Sequence, residues 1–338
     1  MYVRRNIKWS IIFRFGWRNL IFFAVWSTII TSTYIYLDMV HDVDIGLPFL
    51  PLSTIGIAVA FYIGFKNSQS YDRFWEGRKI WGGIVNYSRT WANQVMSYVP
   101  APDAASSFDN ASLKDLHRKL IFRHIAWMNA LRIQLRATTI FDRTNISYVP
   151  DFKLDNDRNC TEHIGKFLEP EEYDAVIKKA NTAAQIIRNQ GEQLKKLKAA
   201  GVVDEYPHVD MMKSLEEFYN LQGKCERIKN TPFPRQYAYF STVFVWIFTL
   251  LLPFGLVEEF AKLGNDTFIW LTIPFGVLIS WVFTTMEIVG DNSEDPFENY
   301  INDVPMTAIC RNIEIDLLQM LGEEQIPAKV QPVNDILL

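Results

Sequence analysis

The sequence predicts an all-α membrane protein with four transmembrane helices and a large helical region outside the membrane. Four observations support this fold class. Four windows of about 20 residues contain no Asp, Glu, Lys or Arg. A polar segment with helical periodicity separates the second window from the third, and no alternating run of β-branched residues indicates a sheet. The chain is 49% hydrophobic and 21% charged, which fits a protein divided between membrane and water.

The four charge-free windows are long enough to cross the hydrocarbon core of a bilayer, which takes about 20 residues at a rise of about 1.5 Å each. They cover residues 20–37, 45–65, 236–257 and 267–286. Buried core helices of a soluble protein are the alternative interpretation, but four windows of this length argue against it. The second window runs on past Phe65 into "KNSQSYDRFWEGRKIWGG", so we expect its helix to continue out of the membrane.

The distribution of basic residues predicts the orientation in the membrane. Lys and Arg cluster before the first window and after the second, whereas the two short connections are mainly acidic. Because basic loops stay on the cytoplasmic side, we expect both termini and residues 66–235 in the cytoplasm. The chain then divides into 1–65 with the first two spans, 66–235 as a cytoplasmic helical region, 236–286 with the last two spans, and 287–338 as a cytoplasmic C-terminal segment.

Two stretches of the segment 66–235 show helical patterns. Residues 116–137 repeat apolar residues at spacings of three and four. Residues 169–201 open with Glu-Pro, carry acids in the first turns and end in Lys-rich turns before Gly201, which predicts one long helix. The polar residues 138–165 include Pro150 and predict a loop.

No motif of an enzyme or a nucleotide-binding protein occurs in the chain. The glycine-rich phosphate loop, the HExxH zinc motif and the GxSxG hydrolase motif are all missing. The five histidines and three cysteines show no metal-ligand spacing. The formal net charge of -4 provides no basic surface for nucleic acid. We therefore expect no catalysis, metal, cofactor or nucleic-acid partner, which leaves transport or scaffolding.

Four motifs together resemble the bestrophin channels, and specifically their bacterial branch. They are "FYIGFKNSQSYDRFWEGRKIWGGIVNYSR" (61–89), "CERIKNTPFPRQYAY" (225–239), "EDPFENYINDVPMTAICRNIEIDLLQM" (294–320) and "IPAKVQP" (326–332). The resemblance covers nearly the whole chain. It implies a homopentamer, in which each subunit joins four identical subunits around one central pore. It also implies a multi-pass protein of the bacterial inner membrane that passes monovalent ions.

The resemblance implies that the second span lines a narrow hydrophobic neck formed by Ile57, Phe61 and Phe65. A spacing of four places these side chains on one slowly drifting face of a helix. Small residues lie between them, and five copies of each large side chain would form an apolar constriction that gates by dewetting. The alternative is that the three residues face lipid or pack inside a bundle.

A cytoplasmic aperture is implied at the turn "DEYPHVD", residues 204–210. The match falls on His208, beside Pro207, with one residue of slip allowed; family members have an aliphatic residue at this position. Five histidines in a ring would gain positive charge as the pH falls from about 7 to 5. A solvated loop histidine is the alternative.

The calcium clamp of the animal family members corresponds to "VGDNSEDPF", residues 289–297. The two clamp aspartates fall on Ser293 and Pro296, which have no carboxylate to offer calcium. Glu294 and Asp295 are acidic but occupy shifted positions. We therefore expect a capped acidic turn after the fourth span, and a channel that does not depend on calcium.

The acidic external loops favour a cation channel. Six acidic residues and one lysine leave five net negative charges per subunit, which concentrate cations at the pore mouth. The residues are Asp38, Asp42, Asp44, Glu258, Glu259, Asp266 and Lys262. Two alternatives remain: an anion channel like the animal bestrophins, since phenylalanine edges carry a positive rim, and a membrane-anchored scaffold whose cytoplasmic helices bind a partner.

Overall fold

A computed structural model describes residues 1–100, 109–137, 162–298 and 300–338, which form α-helices and connecting segments with no strand among them. The helices are α1 (Trp9–His41), α2 (Phe49–Tyr98), α3 (Asn110–Arg136), α4 (Glu162–Gly165), α5 (Pro170–Ile177), α6 (Thr182–Ala199), α7 (Glu205–Asn230), α8 (Arg235–Ala261), α9 (Asp266–Ile269), α10 (Thr272–Ser293) and α11 (Met306–Met320).

Four segments are long and apolar enough to cross a membrane, and they confirm the four windows of the sequence. They are Gly16–His41, Phe49–Tyr98, Arg235–Ala261 and Asp266–Ser293. In the bundle, α10 packs against α1, α2 and α8, and α8 also packs against α2. Gly56 permits close approach of α2 to α8, because a Cβ at this position would lie 2.8 Å from the Phe248 ring. A larger residue at position 56 would push the two helices apart.

The second span continues without a break into the region outside the membrane, as predicted. Helix α2 has 50 residues, so it is about 75 Å long at 1.5 Å per residue. Its first half carries the apolar window, and its second half buries Ile80, Trp81 and Ile84 in a separate core. A single element therefore connects the membrane bundle to the rest of the protein.

The second half of α2 packs with α3–α7 and α11 into a second unit, which we call the helical body. Helices α3, α7 and α11 contact α2, and α6 packs between α3 and α7. The centre of the body is aromatic: Trp127 and Phe218 lie 4.9 Å apart by ring centroid, and Trp91 is also fully buried. Burial of such large side chains is the main source of stability for this unit.

The prediction of one helix over residues 169–201 is wrong. The structure forms α5 and α6 instead, because Asn181 caps a new helix by accepting a hydrogen bond from the Ala184 amide at 2.9 Å. The two ends are as expected: Pro170 begins α5, and α6 ends before Gly201, whose φ of 71° requires glycine. Of the predicted loop 138–165, residues 138–161 lie outside the described residues, and the remainder forms α4.

The two ends of the chain lie side by side. The Val3 amide donates to the Asp335 carbonyl at 2.9 Å, and the side chains of Arg4 and Lys8 contact the Asp335 carboxylate at 2.7 and 2.6 Å. The segment that follows α11 thus returns to the residues that precede α1. Both ends are consequently on the same side of the membrane bundle.

Candidate ion pathway

An exposed stripe on α2 contains the three residues of the predicted neck. The exposed fractions are 72% for Ile57, 81% for Phe61 and 49% for Phe65, although the helix is apolar here. The opposite face is packed, with Val59 and Ile63 buried against α8. The structure therefore brings the three predicted residues together on one surface of the subunit.

The stripe continues beyond the neck with a change of chemistry. Ser68, Asp72, Trp75 and Lys79 follow at spacings of three and four, and all four are exposed. Beyond the half-buried Gly82 and Gly83, the same helix face is exposed again as far as the end of α2, at Asn86, Thr90, Asn93 and Ser97. One helix face thus passes from apolar side chains within the membrane segment to polar ones along the helical body.

A buried ionic cluster holds α2 in the rotation that exposes this stripe. The Lys66 ammonium lies 2.6 Å from a Glu287 oxygen and 2.5 Å from an Asp291 oxygen. Ser241 and Thr242 of α8 donate to the same Glu287 carboxylate at 2.6 and 2.8 Å. Lys66 lies about 140° around the helix from Phe61, so its burial turns the phenylalanines outward.

Sequence reasoning missed this cluster. Its signal was available, because Lys66 directly follows the second charge-free window and Glu287 directly follows the fourth. Charged residues at the edge of a membrane helix are expensive to bury and usually find a partner. The partners lie more than 200 positions apart in the chain, so the pairing itself required the structure.

The acidic turn after α10 is occupied by contacts within the chain. Ser293 ends α10, and its hydroxyl donates to the Val289 carbonyl at 2.9 Å. The Glu294 carboxylate lies 3.4 Å from Arg235, and Asp295 lies 3.6 Å from Arg73. Burial raises the pKa of Glu294 to about 6. The acids of this turn are therefore used in pairing α10 with basic side chains.

The neighbouring residues of this turn pack on α2. A Cβ at Gly77 would lie 3.1 Å from the Phe297 ring and 3.2 Å from Pro296, so these two side chains rest directly on the helix. In the described part of the chain, no group of three or more His, Cys, Asp or Glu side chains is arranged to hold a metal ion. The turn is a packed connection between α10 and the helical body.

The segment predicted as an aperture turn is helical, which corrects the sequence interpretation. Pro207 and His208 lie in the first turn of α7, where the His208 amide donates to the Asp204 carbonyl at 2.9 Å. His208 is half-buried and lines a cavity of about 770 Å³ between α6 and α7. Its Nδ1 atom has no hydrogen-bond partner among the described residues. A proline is compatible with helix here, since the first turn needs no amide donor.

The residues beside His208 are more exposed than the histidine itself. Tyr206 is 88% exposed and Val209 is 45% exposed. Val209 is aliphatic and lies one residue from the matched position, within the allowed slip. Asp210 accepts from Gln94 at 2.7 Å and from Tyr98 at 3.3 Å. These bonds tie the start of α7 to the far end of α2, about 50 Å along the helix from Phe65.

Acidic groups of the two short connections meet before the start of α2. Lys262 contacts Glu258 at 2.9 Å and Glu259 at 2.7 Å. A Cβ at Gly46 would meet the Asp44 carboxylate at 2.9 Å and the Glu258 side chain at 3.0 Å, so these two acids lie close together. The lysine offsets part of the negative charge without removing its excess.

Comparisons with known proteins agree with this arrangement. A family model described as "Bacterial/Fungal Bestrophin protein" matches residues 4–319. The "Voltage-dependent anion channel-forming protein YneE" of Escherichia coli O157:H7 is 30% identical over 282 residues, which is 83% of this chain and 80% of that protein. The protein of the same name from Salmonella typhi is 28% identical over 338 residues, covering 98% of each.

A solved structure of a bacterial bestrophin homolog from Klebsiella pneumoniae has a TM-score of 0.74 to this chain at 28% identity, covering 93% of this chain and 100% of that one. The family match, the curated relatives and the shared fold all extend over nearly the whole length. The four membrane-crossing helices and the helical body of this chain agree with these comparisons. This chain therefore belongs to the bacterial/fungal bestrophin family of ion channels.

Proposed function

We propose that five copies of this chain form a channel whose pore is lined by the exposed stripe of α2, with Ile57, Phe61 and Phe65 as its hydrophobic neck. The observation that carries the proposal is the 81% exposure of Phe61 and the 72% exposure of Ile57, on the face of α2 opposite Val59 and Ile63, which are buried against α8. Five such rings make a constriction too apolar to hold water readily, and ions cross it only when it wets.

Continuity of the stripe favours a pore over a lipid contact. A lipid-facing surface ends where the membrane ends, but this stripe continues in register through Ser68 and Asp72 to Ser97. A pore that widens from a dry neck into an aqueous vestibule requires this change from apolar to polar side chains. At the far end, the exposed Tyr206 and Val209 beside His208 are positioned to form the second constriction.

We place the helical body and both chain ends in the cytoplasm of a bacterium, with the bundle in the inner membrane. The basic residues before the first span and after the second support this orientation. The contact between Val3 and Asp335 keeps the two ends on one side. The division into segments 1–65, 66–235, 236–286 and 287–338 follows from this placement.

The channel selects monovalent cations in this proposal. The neck carries no charge, so ion preference depends on the charged groups at its two mouths. At the external mouth, Asp44 lies beside Glu258, and Lys262 offsets only part of the acidic charge. A field of this sign concentrates cations within about 8 Å at physiological salt.

A second candidate is an anion channel, and the names of the relatives favour it. The proteins from Escherichia coli and Salmonella typhi are described as voltage-dependent anion channel-forming. Phenylalanine rings at Phe61 and Phe65 could present their positive edges to an anion in the neck. The third candidate, a scaffold that conducts nothing, leaves the exposed apolar stripe without a role.

Purified protein in liposomes separates the candidates. The oligomer mass in detergent and the flux of Na⁺ and Cl⁻ down imposed gradients are measured first, and reversal potentials in a bilayer under asymmetric salt follow. A pentamer with a reversal potential near the Na⁺ equilibrium value supports the cation channel, and one near the Cl⁻ value supports the anion channel. A monomer without flux would leave only the scaffold.

A further inference from the structure

We propose that Asp72 is a selectivity-determining residue: its five copies form a carboxylate ring at the exit of the neck toward the helical body and favour cations there. This inference rests on the proposed pore along α2. It goes beyond that proposal by naming one residue that acts on the ion and by predicting the direction of its effect.

Asp72 lies on the same face of α2 as the neck residues. Asp72 is exposed and lies within about 20° of Phe61 around the helix axis. It follows Phe65 by seven residues, which is about 10 Å along the axis. Ser68, the residue of the stripe between them, is uncharged. Asp72 is therefore the first charged group that an ion meets on this stripe after the apolar rings.

The neighbouring charges are engaged elsewhere. Lys66 is buried against Glu287 and Asp291. Arg73 donates to the carbonyl oxygens of Glu294, Ile228 and Thr231 at 2.9 to 3.0 Å. Glu76 is paired with Arg227.

Asp72 has no hydrogen bond or ion pair within the part of the chain that the structure describes. A carboxylate on the exposed stripe that has no partner in the described chain is free to contact a passing ion. The charges to either side of it in sequence, in contrast, pair with residues of α7 and α10 and of the segments that directly follow them.

Asp72 is closer to the neck than Lys79, the next charged residue on the stripe, and so has the larger effect on the potential there. Lys79 is also exposed and lies about 10 Å farther from the neck, in the same angular position as Phe61. The Debye length at physiological salt is about 8 Å. At the neck exit the carboxylates are therefore screened less than the ammonium groups, and the local potential is negative.

The test is the permeability ratio of Na⁺ to Cl⁻, obtained from reversal potentials of the full-length channel in bilayers. In Asp72→Asn we expect the ratio to fall at least about threefold, because five screened unit charges are removed close to the ion path. Asp72→Glu keeps the charge and should keep the parent ratio. Lys79→Gln should move the ratio in the opposite direction and by less.

Asp174→Asn is the matched control, since Asp174 is an exposed aspartate on α5 and its replacement changes the net charge equally. Should Asp72→Asn fail to assemble, Asp72→Ser serves instead, because serine already occupies the stripe one turn earlier. The same ratio in parent, Asp72→Asn and Asp174→Asn overturns the inference.

The inference and the proposed function fail in different ways. Suppose that the current of the pentamer changes in the Phe61 variant while the permeability ratio is unchanged in Asp72→Asn. That result supports the pore and contradicts the carboxylate ring. Absence of conductance, or a current that is unchanged in Phe61→Ala, contradicts the proposed pore along α2. Because the expected change is a shift toward anions, it can be measured whether the parent prefers Na⁺ or Cl⁻.

Discussion

Lys66 and Glu287 form a buried ion pair with a nitrogen-to-oxygen distance of 2.6 Å where α2 meets α10. Their side chains are 1% and 7% exposed. Asp291 completes the cluster, and the adjacent Gly290 lets α10 approach α2 closely, since a Cβ there would clash with the Asn67 amide oxygen. The pair joins α2 to the last span, one residue after Phe65.

Replacing Lys66 by Met should destabilise the folded protein by about 3–5 kcal/mol, because two carboxylates would lose their buried cation. The measurement is thermal unfolding of the detergent-solubilised protein. Lys79→Met is the matched control, since Lys79 is exposed on the same helix and should change stability by less than about 1 kcal/mol. Equal unfolding temperatures for Lys66→Met and the parent would show that the cluster does not hold α2.

Truncating the neck should raise conductance. In Phe61→Ala or Ile57→Ala, five large side chains are removed from the narrowest part of the proposed pore, which widens and wets it. We expect a severalfold increase in single-channel current. Phe275→Ala, on an exposed face of α10, removes the same ring outside the stripe and should leave the current unchanged. Unchanged current in both neck variants, with the oligomer intact, contradicts the neck assignment.

Micromolar calcium should not open this channel. Ser293 and Pro296, which we match to the clamp aspartates of animal bestrophins, have no carboxylate. Glu294 lies against Arg235 and Asp295 against Arg73. Calcium needs several oxygen ligands that are free to converge. Open probability in bilayers with calcium chelated and then raised to about 10 μM, a sensor-range concentration, should be the same. A steep rise would refute calcium independence.

The helical body should lose stability below about pH 6.5 through His124. This side chain is fully buried among Trp91, Trp127 and Phe218, and burial lowers its pKa to about 3. The unfolded chain takes up this proton near pH 6.5 and the folded chain only near pH 3. Stability attributable to His124 therefore falls by about 1.4 kcal/mol per pH unit below 6.5, or about 2 kcal/mol at pH 5.

In His124→Gln this slope should flatten, while an amide remains near the Ser88 hydroxyl that His124 contacts at 2.8 Å. The half-buried His117 lies on the same helix, and His117→Gln is the control that should keep the parent slope. Thermal unfolding measured from pH 7.5 to 5 compares the three proteins. Parallel curves for parent and His124→Gln would mean that His124 does not carry this pH dependence.

The first turn of α7 should set ion preference at low pH if it forms the second constriction. Each positive charge that a ring of five His208 side chains gains as the pH falls raises the barrier for cations and lowers it for anions, in a broad transition because like charges oppose one another. Charged groups near His208 will modify the response: Asp204, Glu205, Asp210, Lys213 and Glu216 of the α7 region and Arg188, Glu192 and Lys195 of α6.

The measurement is the cation-to-anion permeability ratio against pH on the side of the helical body, in the parent, His208→Ala and Val209→Ala. We expect His208→Ala to lose the pH response. Val209→Ala should keep that response while passing larger ions, because an exposed aliphatic side chain is shortened. Identical curves for parent and His208→Ala remove the histidine from the constriction.

The sequence by itself determined the class of the protein. A window of about 20 residues without charge matches the thickness of a bilayer and is stable there as a helix. The four spans therefore follow from composition alone. The continuation of α2 past Phe65 also follows, because the stretch "KNSQSYDR" that comes directly after it contains no proline or glycine to break the helix. The four-residue spacing of Ile57, Phe61 and Phe65 likewise places them on one helix face, whatever packs around that helix.

Tertiary structure alone decided which way that face turns. Spacing defines a face but not its direction, and the direction depends on Lys66 reaching Glu287 and on Gly56 lying beneath Phe248. These partners are about 190 to 220 positions apart. The same reason explains why Asp295 was not foreseen as a partner of Arg73. The local sequence pattern indicates the secondary structure and the helix face of a residue. Its burial and its partner depend on which distant helices pack beside it.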